Sequence, residues 1–324
     1  MATLVQELFD GAIDIVGDVH GEIQALEDLM ARLGYEPDGR HPQGRRLVFV
    51  GDLGDRGPDS PGVVLRLRDM VQAGRAQCVL GNHDFNALWA TRGGRMKPEL
   101  CWLFDEAPLF RHYGIEVPQK KVRGKLRDEV LAFFASLPIV LQRPDVRVVH
   151  ASWDDDLVEQ VRHETDAVEV YFRRADRIER ALVGRPGAAA GDGNLAHQND
   201  NPVKRLTSGL EGRSPTPIVI GGKPRWERRV PWWESYQGPL VVFGHYWRQP
   251  LPWDREESLF DGQPLEALLP GPSMCIDYSV GKRFKERLQA DFKGRYRTWL
   301  GALRLPERVL VFDRDLEPRP VIGP

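Results

Sequence analysis

Cysteine is scarce in this chain. Its 324 residues hold three, Cys78, Cys101 and Cys275, and no two share a C-x-x-C spacing. That excludes a thiolate zinc ribbon and leaves no disulfide framework. Cys78 and Cys275 fall in apolar runs, as buried free thiols of a reducing compartment do. Net charge is also lacking. A formal charge of -2 gives no general attraction to nucleic acid or anionic lipid. No apolar run reaches the ~20 residues needed to span a bilayer. Met1 to Asp10 carries acids and no basic segment, unlike a secretory signal. The expectation is a cytoplasmic protein with neither a membrane nor a nucleic-acid partner.

What is present is a recurring unit. The runs Ala12 to Val16, Leu47 to Val50 and Ala76 to Leu80 read as buried strands. Each breaks into a glycine-flanked loop rich in Asp, His or Asn. These loops are Gly17-Asp18-Val19-His20-Gly21, Gly51-Asp52-Leu53-Gly54-Asp55-Arg56-Gly57 and Gly81-Asn82-His83-Asp84. Helices are expected between them. Glu22 to Leu33 carries an apolar face and stops at Gly34. Ser60 reads as an N-cap with Pro61 at the first helical position. Alternating strands and helices predict an α/β fold with a mainly parallel sheet. Side chains at the C-terminal ends of such strands gather into one site, here with N and O donors suited to metal.

The chain then reads as helical from Asn86 to Leu137, with short strands at Ile139 to Leu141 and Val146 to Val149 before His150. From Trp153 the pattern changes. Asp155 to Leu182 is charged and helical, Gly184 to Gly193 reads as a mobile loop, and Asn201 to Trp233 has little regular period. Residues 153–238 are therefore expected to be an inserted cap. The core comprises 1–152 and 239–314, resuming at Leu240 to Phe243 and Met274 to Ile276. Trp299 to Leu305 and Arg308 to Phe312 are expected as an antiparallel pair completing a second sheet. Residues 315–324 read as a frayed tail.

The ordered motifs, with His150 after one strand and Gly244-His245 after another, resemble the PPP-type metallophosphoesterases. That superfamily includes calcineurin-like Ser/Thr phosphatases and symmetrical diadenosine tetraphosphatases. The resemblance implies two packed mixed β-sheets flanked by helices. It implies two divalent metals, Mn foremost and Fe, Zn, Co or Mg as alternatives. Asp52 would bridge them, with Asp18 and His20 on one and Asn82, His150 and His245 on the other. It implies in-line attack by metal-bound hydroxide, His83 as general acid, Asp55 holding His83, and Arg56 gripping phosphate. Arg205, Arg213, Arg225 and Arg248 stay open as a second phosphate-binding arginine; Arg248 is taken alongside Arg56.

Two departures stand out. Ala151-Ser152 follows His150 where relatives commonly carry Gly-Gly, Ala-Gly or similar, and Asp84 replaces the Glu usual in eukaryotic phosphatases. The second favours the bacterial branch. Expected substrates are dinucleoside polyphosphates, with a Ser/Thr protein phosphatase or general phosphomonoesterase as the alternative. A non-catalytic binding module is a third reading, disfavoured because the ligand set is intact. An Asp or His after a strand is commonly a simple cap. That applies to Asp277, read as a strand-end turn, and His41, His112, His163 and His197 gain no role. Trp226, Trp232, Trp233, Trp247 and Trp253 crowd one stretch. They read as an aromatic core first and a base-stacking wall second.

Overall fold

A computed structural model describes residues 2–183, 192–220, 223–251, 259–314 and 316–323. Two mixed sheets lie face to face. One is six-stranded, in the order Arg319–Pro320, Val309–Phe312, Gly301–Leu305, Ile13–Val16, Arg46–Phe49, Ala76–Cys78. The other is five-stranded, in the order Val5–Glu7, Val140–Gln142, Val146–Val149, Leu240–Phe243, Ser273–Cys275. Alternation along the strands sets the layers. Ile13, Ile15, Val48 and Val50 of the first sheet meet Val148, Val242 and Met274 of the second in one buried cluster. Val16, Leu47, Phe49, Val149 and Phe243 face outward into a second cluster, under the helices.

The helices cover the outer faces because their apolar stripes require it. Ile23–Leu33 buries Ala25, Leu26, Leu29, Met30 and Leu33, and ends on left-handed Gly34. The second helix, Ser60–Gln72, is capped one residue earlier than expected. Asp59 accepts from Gly62 N, and Ser60 is the first helical residue. The terminal hairpin extends the first sheet, pairing Leu303 with Ile15, instead of building the second. The tail is partly held: Arg319 pairs with Leu310, and Leu268 N donates to Ile322 O.

Register positions the loops. Val16 pairs with Phe49 and Phe49 with Cys78, all parallel, so three strands end together. Phe243 pairs with Cys275, and Val242 with Val148, on the facing sheet. Between Val149 and Leu240 run the helices Asp155–Val161, Ala167–Leu182, Asp192–Asp200 and Pro202–Ser208, then the hairpin Glu211–Ile220 with Lys223–Arg229. The sequence pattern missed that hairpin, whose register shifts between Arg225 and Glu227. The loop expected at Gly184 to Gly193 falls outside the described residues except for 192–193, which open a helix. No helix among the described residues is long and apolar enough to cross a membrane.

Candidate metal centre

The strand-end loops are stitched to each other by backbone bonds. Val19 N and His20 N both donate to Asp52 O, at 3.1 and 2.9 Å. Gly57 N donates to His20 O at 2.9 Å, and Gly244 N to His150 O at 2.8 Å. Asp84 is the clasp between two loops. Its carboxylate accepts from Asp52 N, Leu53 N and Gly81 N at 2.9 to 3.0 Å. Burial and the neighbouring Asp52 push its carboxyl up to about 7. His20, Asp52, Asp55, Arg56 and His245 all take positive φ, between 48 and 70°. Left-handed backbone costs a non-glycine residue free energy, and such outliers cluster at functional sites.

These loops bring the candidate ligands together. Asp52 Oδ2 lies 3.6 Å from His20 Nε2 and 3.4 Å from His150 Nε2. Asp18 Oδ2 is 3.9 Å from His20 Nε2. Asn82 Oδ1 is 3.1 Å from His150 Nε2 and 2.8 Å from His245 Nδ1. The two sheets join here, since His245 N donates to Asp18 Oδ2 at 3.2 Å. The far nitrogens are held: His20 Nδ1 by Gly54 O at 3.1 Å and His150 Nδ1 by Val50 O at 2.7 Å. That fixes each ring with Nε2 turned to the centre, as metal-ligating histidines require. His20, Asp52 and His83 form one group able to hold an ion, and Asp52, His150 and His245 form another. They share Asp52.

Acids gather in the pocket. Asp18, Asp52 and Asp277 are all buried. Burial and then Asp277 push Asp18 well above the usual carboxylate range. Burial opposes ionisation of Asp52, but His150 and His83 hold it well below that range. Burial lowers His150, yet Asp52 and Asp18 pull it up to about 10. Buried acids beside fixed imidazoles fit divalent cations with N/O coordination. The donor set thus suits the metals the sequence implied. Gly244 allows the fit: a Cβ there would strike Asp18 Oδ1.

Beside the pocket stands a second array. His83 Nδ1 is 2.6 Å from Asp55 Oδ2, and His83 N donates to Asp52 Oδ1 at 2.8 Å. Trp102 Nε1 donates to the other Asp55 oxygen at 2.6 Å. Arg56 reaches His83 Nε2 at 2.8 Å and His20 Nε2 at 3.1 Å. The sequence reading missed Trp102 and also Arg229. Arg229 donates to His245 O at 3.2 Å and approaches His245 Nε2 at 3.1 Å. Burial lowers its pKa, with Arg56 acting the same way. Trp247 lies among Arg56, Arg229 and Lys282, whose cations are 5.1, 5.4 and 4.7 Å from its ring centroid.

Arg248 is corrected. It is 1% exposed, and its guanidinium donates to Cys275 O and Pro264 O, away from the pocket. Its backbone N is tied to Asp277 O, so its side chain enters the core. The other arginine candidates are held by acids: Arg205 near Asp154, Arg213 by Asp192, Arg225 by Glu211. Asp277 does more than end a strand, because it accepts from Trp247 N and Ser279 N, both at 2.9 Å. Trp232 and Trp233 pack with Phe243 as core, while Trp226 is exposed. Trp253 falls outside the described residues.

Comparison with known proteins gives the chain relatives and a fold. A bis(5'-nucleosyl)-tetraphosphatase PrpE [asymmetrical] from Oceanobacillus iheyensis is 29% identical over 164 residues, covering 49% of this chain and 63% of that protein. A symmetrical bis(5'-nucleosyl)-tetraphosphatase from Ralstonia nicotianae is 40% identical over 80 residues, covering 25% of each. The chain spans less than two thirds of the length of these curated relatives. A cold-active protein-tyrosine phosphatase from Shewanella matches 99% of this chain and 83% of its own, with TM-score 0.52 and 16% identity, and so shares the fold. The loops that build the pocket lie within or just beside residues 11–246, the stretch matched by the model for calcineurin-like phosphoesterases, and the chain belongs to that family.

Proposed function

We propose that this chain is a metal-dependent hydrolase of phosphoesters and phosphoanhydrides, acting on dinucleoside polyphosphates. The observation that carries the reading is the placement of Asp52 between His20 and His150, with Asp18 and Asp277 buried nearby. Asp18, His20 and Asp52 would hold one divalent ion, and Asp52, Asn82, His150 and His245 a second, with Mn the first choice. When bound, two such ions neutralise phosphoryl charge and lower the pKa of water.

The chain's own residues do the rest. Arg56 and Arg229 flank the pocket and orient the phosphoryl oxygens, Arg56 with its planar fork. His83 delivers a proton to the leaving oxygen. Asp55 fixes the ring by its Nδ1, and Trp102 fixes Asp55. Trp247 packs against both arginines and limits their swing. The helical segment and hairpin of residues 155–229 border this face as a cap, contributing Arg229.

The substrate class draws on relatives named bis(5'-nucleosyl)-tetraphosphatases. The test is product analysis with Mn-loaded protein and diadenosine tetraphosphate. Two ADP mark a symmetrical cut, and ATP with AMP an asymmetrical one. No nucleotide product, with phosphate released from phosphopeptides, would replace this reading by a protein phosphatase.

A further inference from the structure

Asp277 follows the strand Ser273–Cys275 and is buried. A buried carboxylate needs donors. Here each oxygen takes a backbone N–H: Trp247 N on Oδ2 and Ser279 N on Oδ1, both at 2.9 Å. The Asp277 carbonyl takes Arg248 N at 2.8 Å. One residue thus holds two loops. The first follows Leu240–Phe243 and carries His245 and Trp247. The second is its own turn into Val280–Lys282. Both are held where the backbone is unusual. His245, Trp247 and Ser279 have φ of 70, 52 and 65°. Left-handed backbone is costly for a residue with a Cβ and persists only where neighbours over-determine it.

Each arm ends on the pocket. The Trp247 ring packs on the guanidinium groups of Arg56 and Arg229, and Arg229 donates to His245 O. On the other arm, Ser279 O takes Lys282 N at 2.8 Å and closes a turn that seats Gly281 against His20. A Cβ on Gly281 would strike His20 Cδ2. The His20 ring is therefore confined by Gly281 as well as by Gly54 O. The Asp277 segment also abuts the Asp18 loop, since a Cβ on Gly17 would strike Ile276 O.

We propose that Asp277 is a positioning residue. Its carboxylate sets the Arg56 and Arg229 pair through Trp247, and the His20 ring through the Ser279 turn. It serves the loops of the five-stranded sheet as Asp84 serves those of the six-stranded one. It acts through other residues, without touching substrate. This rests on the phosphohydrolase reading above and adds a residue outside its ligand set.

The two arms can be separated. An asparagine accepts only through its one side-chain oxygen. The bond to Ser279 N, two residues on, is the local turn that asparagine also forms, so Asp277→Asn loses the arm to Trp247. The test uses the full chain, with Mn binding followed by metal analysis and inorganic phosphate binding to the Mn-loaded protein by calorimetry. Asp277→Asn should keep wild-type Mn affinity and bind phosphate roughly tenfold more weakly, the usual cost of losing a residue that orients a site. Trp247→Ala should do the same. The two together should weaken phosphate no further than either alone, because both break one arm. Asp277→Ala frees both arms and should lose roughly tenfold in Mn affinity as well.

Wild-type phosphate affinity in folded Asp277→Asn overturns the proposal, even if its melting temperature falls, since that is the mark of a purely structural turn. Effects that multiply in the Asp277→Asn, Trp247→Ala double variant overturn it too. Equal Mn affinity in the Ala and Asn variants overturns the His20 arm. If Asp277→Asn does not fold, Asp277→Ser keeps a weaker local bond and meets the same criterion. A wild type that binds Mn and phosphate but cleaves neither phosphate esters nor dinucleotides loses the hydrolase reading and keeps this role if the variants behave as stated. Cleavage, with phosphate binding indifferent to Asp277→Asn, does the reverse. No phosphate binding by the wild type overturns both.

Discussion

Two buried acids, Asp14 on the strand Ile13–Val16 and Asp18 just past it, have their charges handled in opposite ways. Asp14, 0% exposed, is met by Arg45 Nε at 3.0 Å, Arg304 Nε at 2.8 Å and the Tyr35 hydroxyl at 2.7 Å. Its charge is answered within the chain. Asp18, just past the same strand, faces Asp52 and Asp277, and burial and Asp277 push its carboxyl up. Asp18 is met by His245 N and His20 rather than by an arginine, and Arg56 stops at the histidines. A buried acid with its own cations is scaffold. A buried acid among other acids is a place for a cation from outside.

The strongest way to break this comparison is at Asp52. Asp52→Asn should remove the shared ligand and cut activity by roughly a thousandfold or more, since charge stabilisation there is worth several kcal/mol. The wild type should melt at a higher temperature with Mn, and this variant should lose that rise, read by thermal melting and metal analysis. Metal retained at full stoichiometry would sink the contrast. Asp14→Asn should do the opposite. It strips a partner from buried arginines, so it should destabilise the fold by about 3–5 kcal/mol in chemical denaturation and leave metal content intact.

His83→Ala should lower turnover of an ester with a poor leaving group by roughly 10²–10⁴-fold while metal stays bound. A nitrophenyl ester, whose leaving group needs less protonation, should suffer less. Trp102→Phe should cost roughly tenfold in turnover, because it frees Asp55 without removing it. The smallest effect concerns Lys204. Its folded value, about 8, lies below the ordinary lysine value of 10.5. The unfolded chain then holds more protons between those values, so stability should rise as pH climbs through that window. Lys204→Met should flatten that rise in denaturation curves taken between pH 8 and 10.

Much of the pocket was readable because its residues sit directly beside the strands that aim them. Asp18, Asp52 and Asn82 follow apolar runs whose periodicity is plain, and parallel register does the gathering. Arg229 was not readable. It reaches His245 through a hairpin in a stretch with no clear period, and the Arg228-Arg229 doublet before Pro231-Trp232-Trp233 was the available trace. Arg248 misled because closeness to His245 in sequence says nothing of direction. The bond from its backbone N to Asp277 O turns its side chain inward. Trp102 was missed because a tryptophan in an apolar stretch reads as core, which it also is. The left-handed backbone at the candidate site residues leaves no mark in composition, since Asp, His and Arg themselves adopt it there.

The missing side chain of Gly244 has a last consequence. One methyl group there would collide with a carboxylate oxygen of Asp18 and with Val50, at a position just past the paired strand Leu240–Phe243. A lineage losing catalysis would have a one-codon exit at this position, with the scaffold left standing. The same alanine offers experimenters an inert double of the protein for trapping whatever it normally consumes.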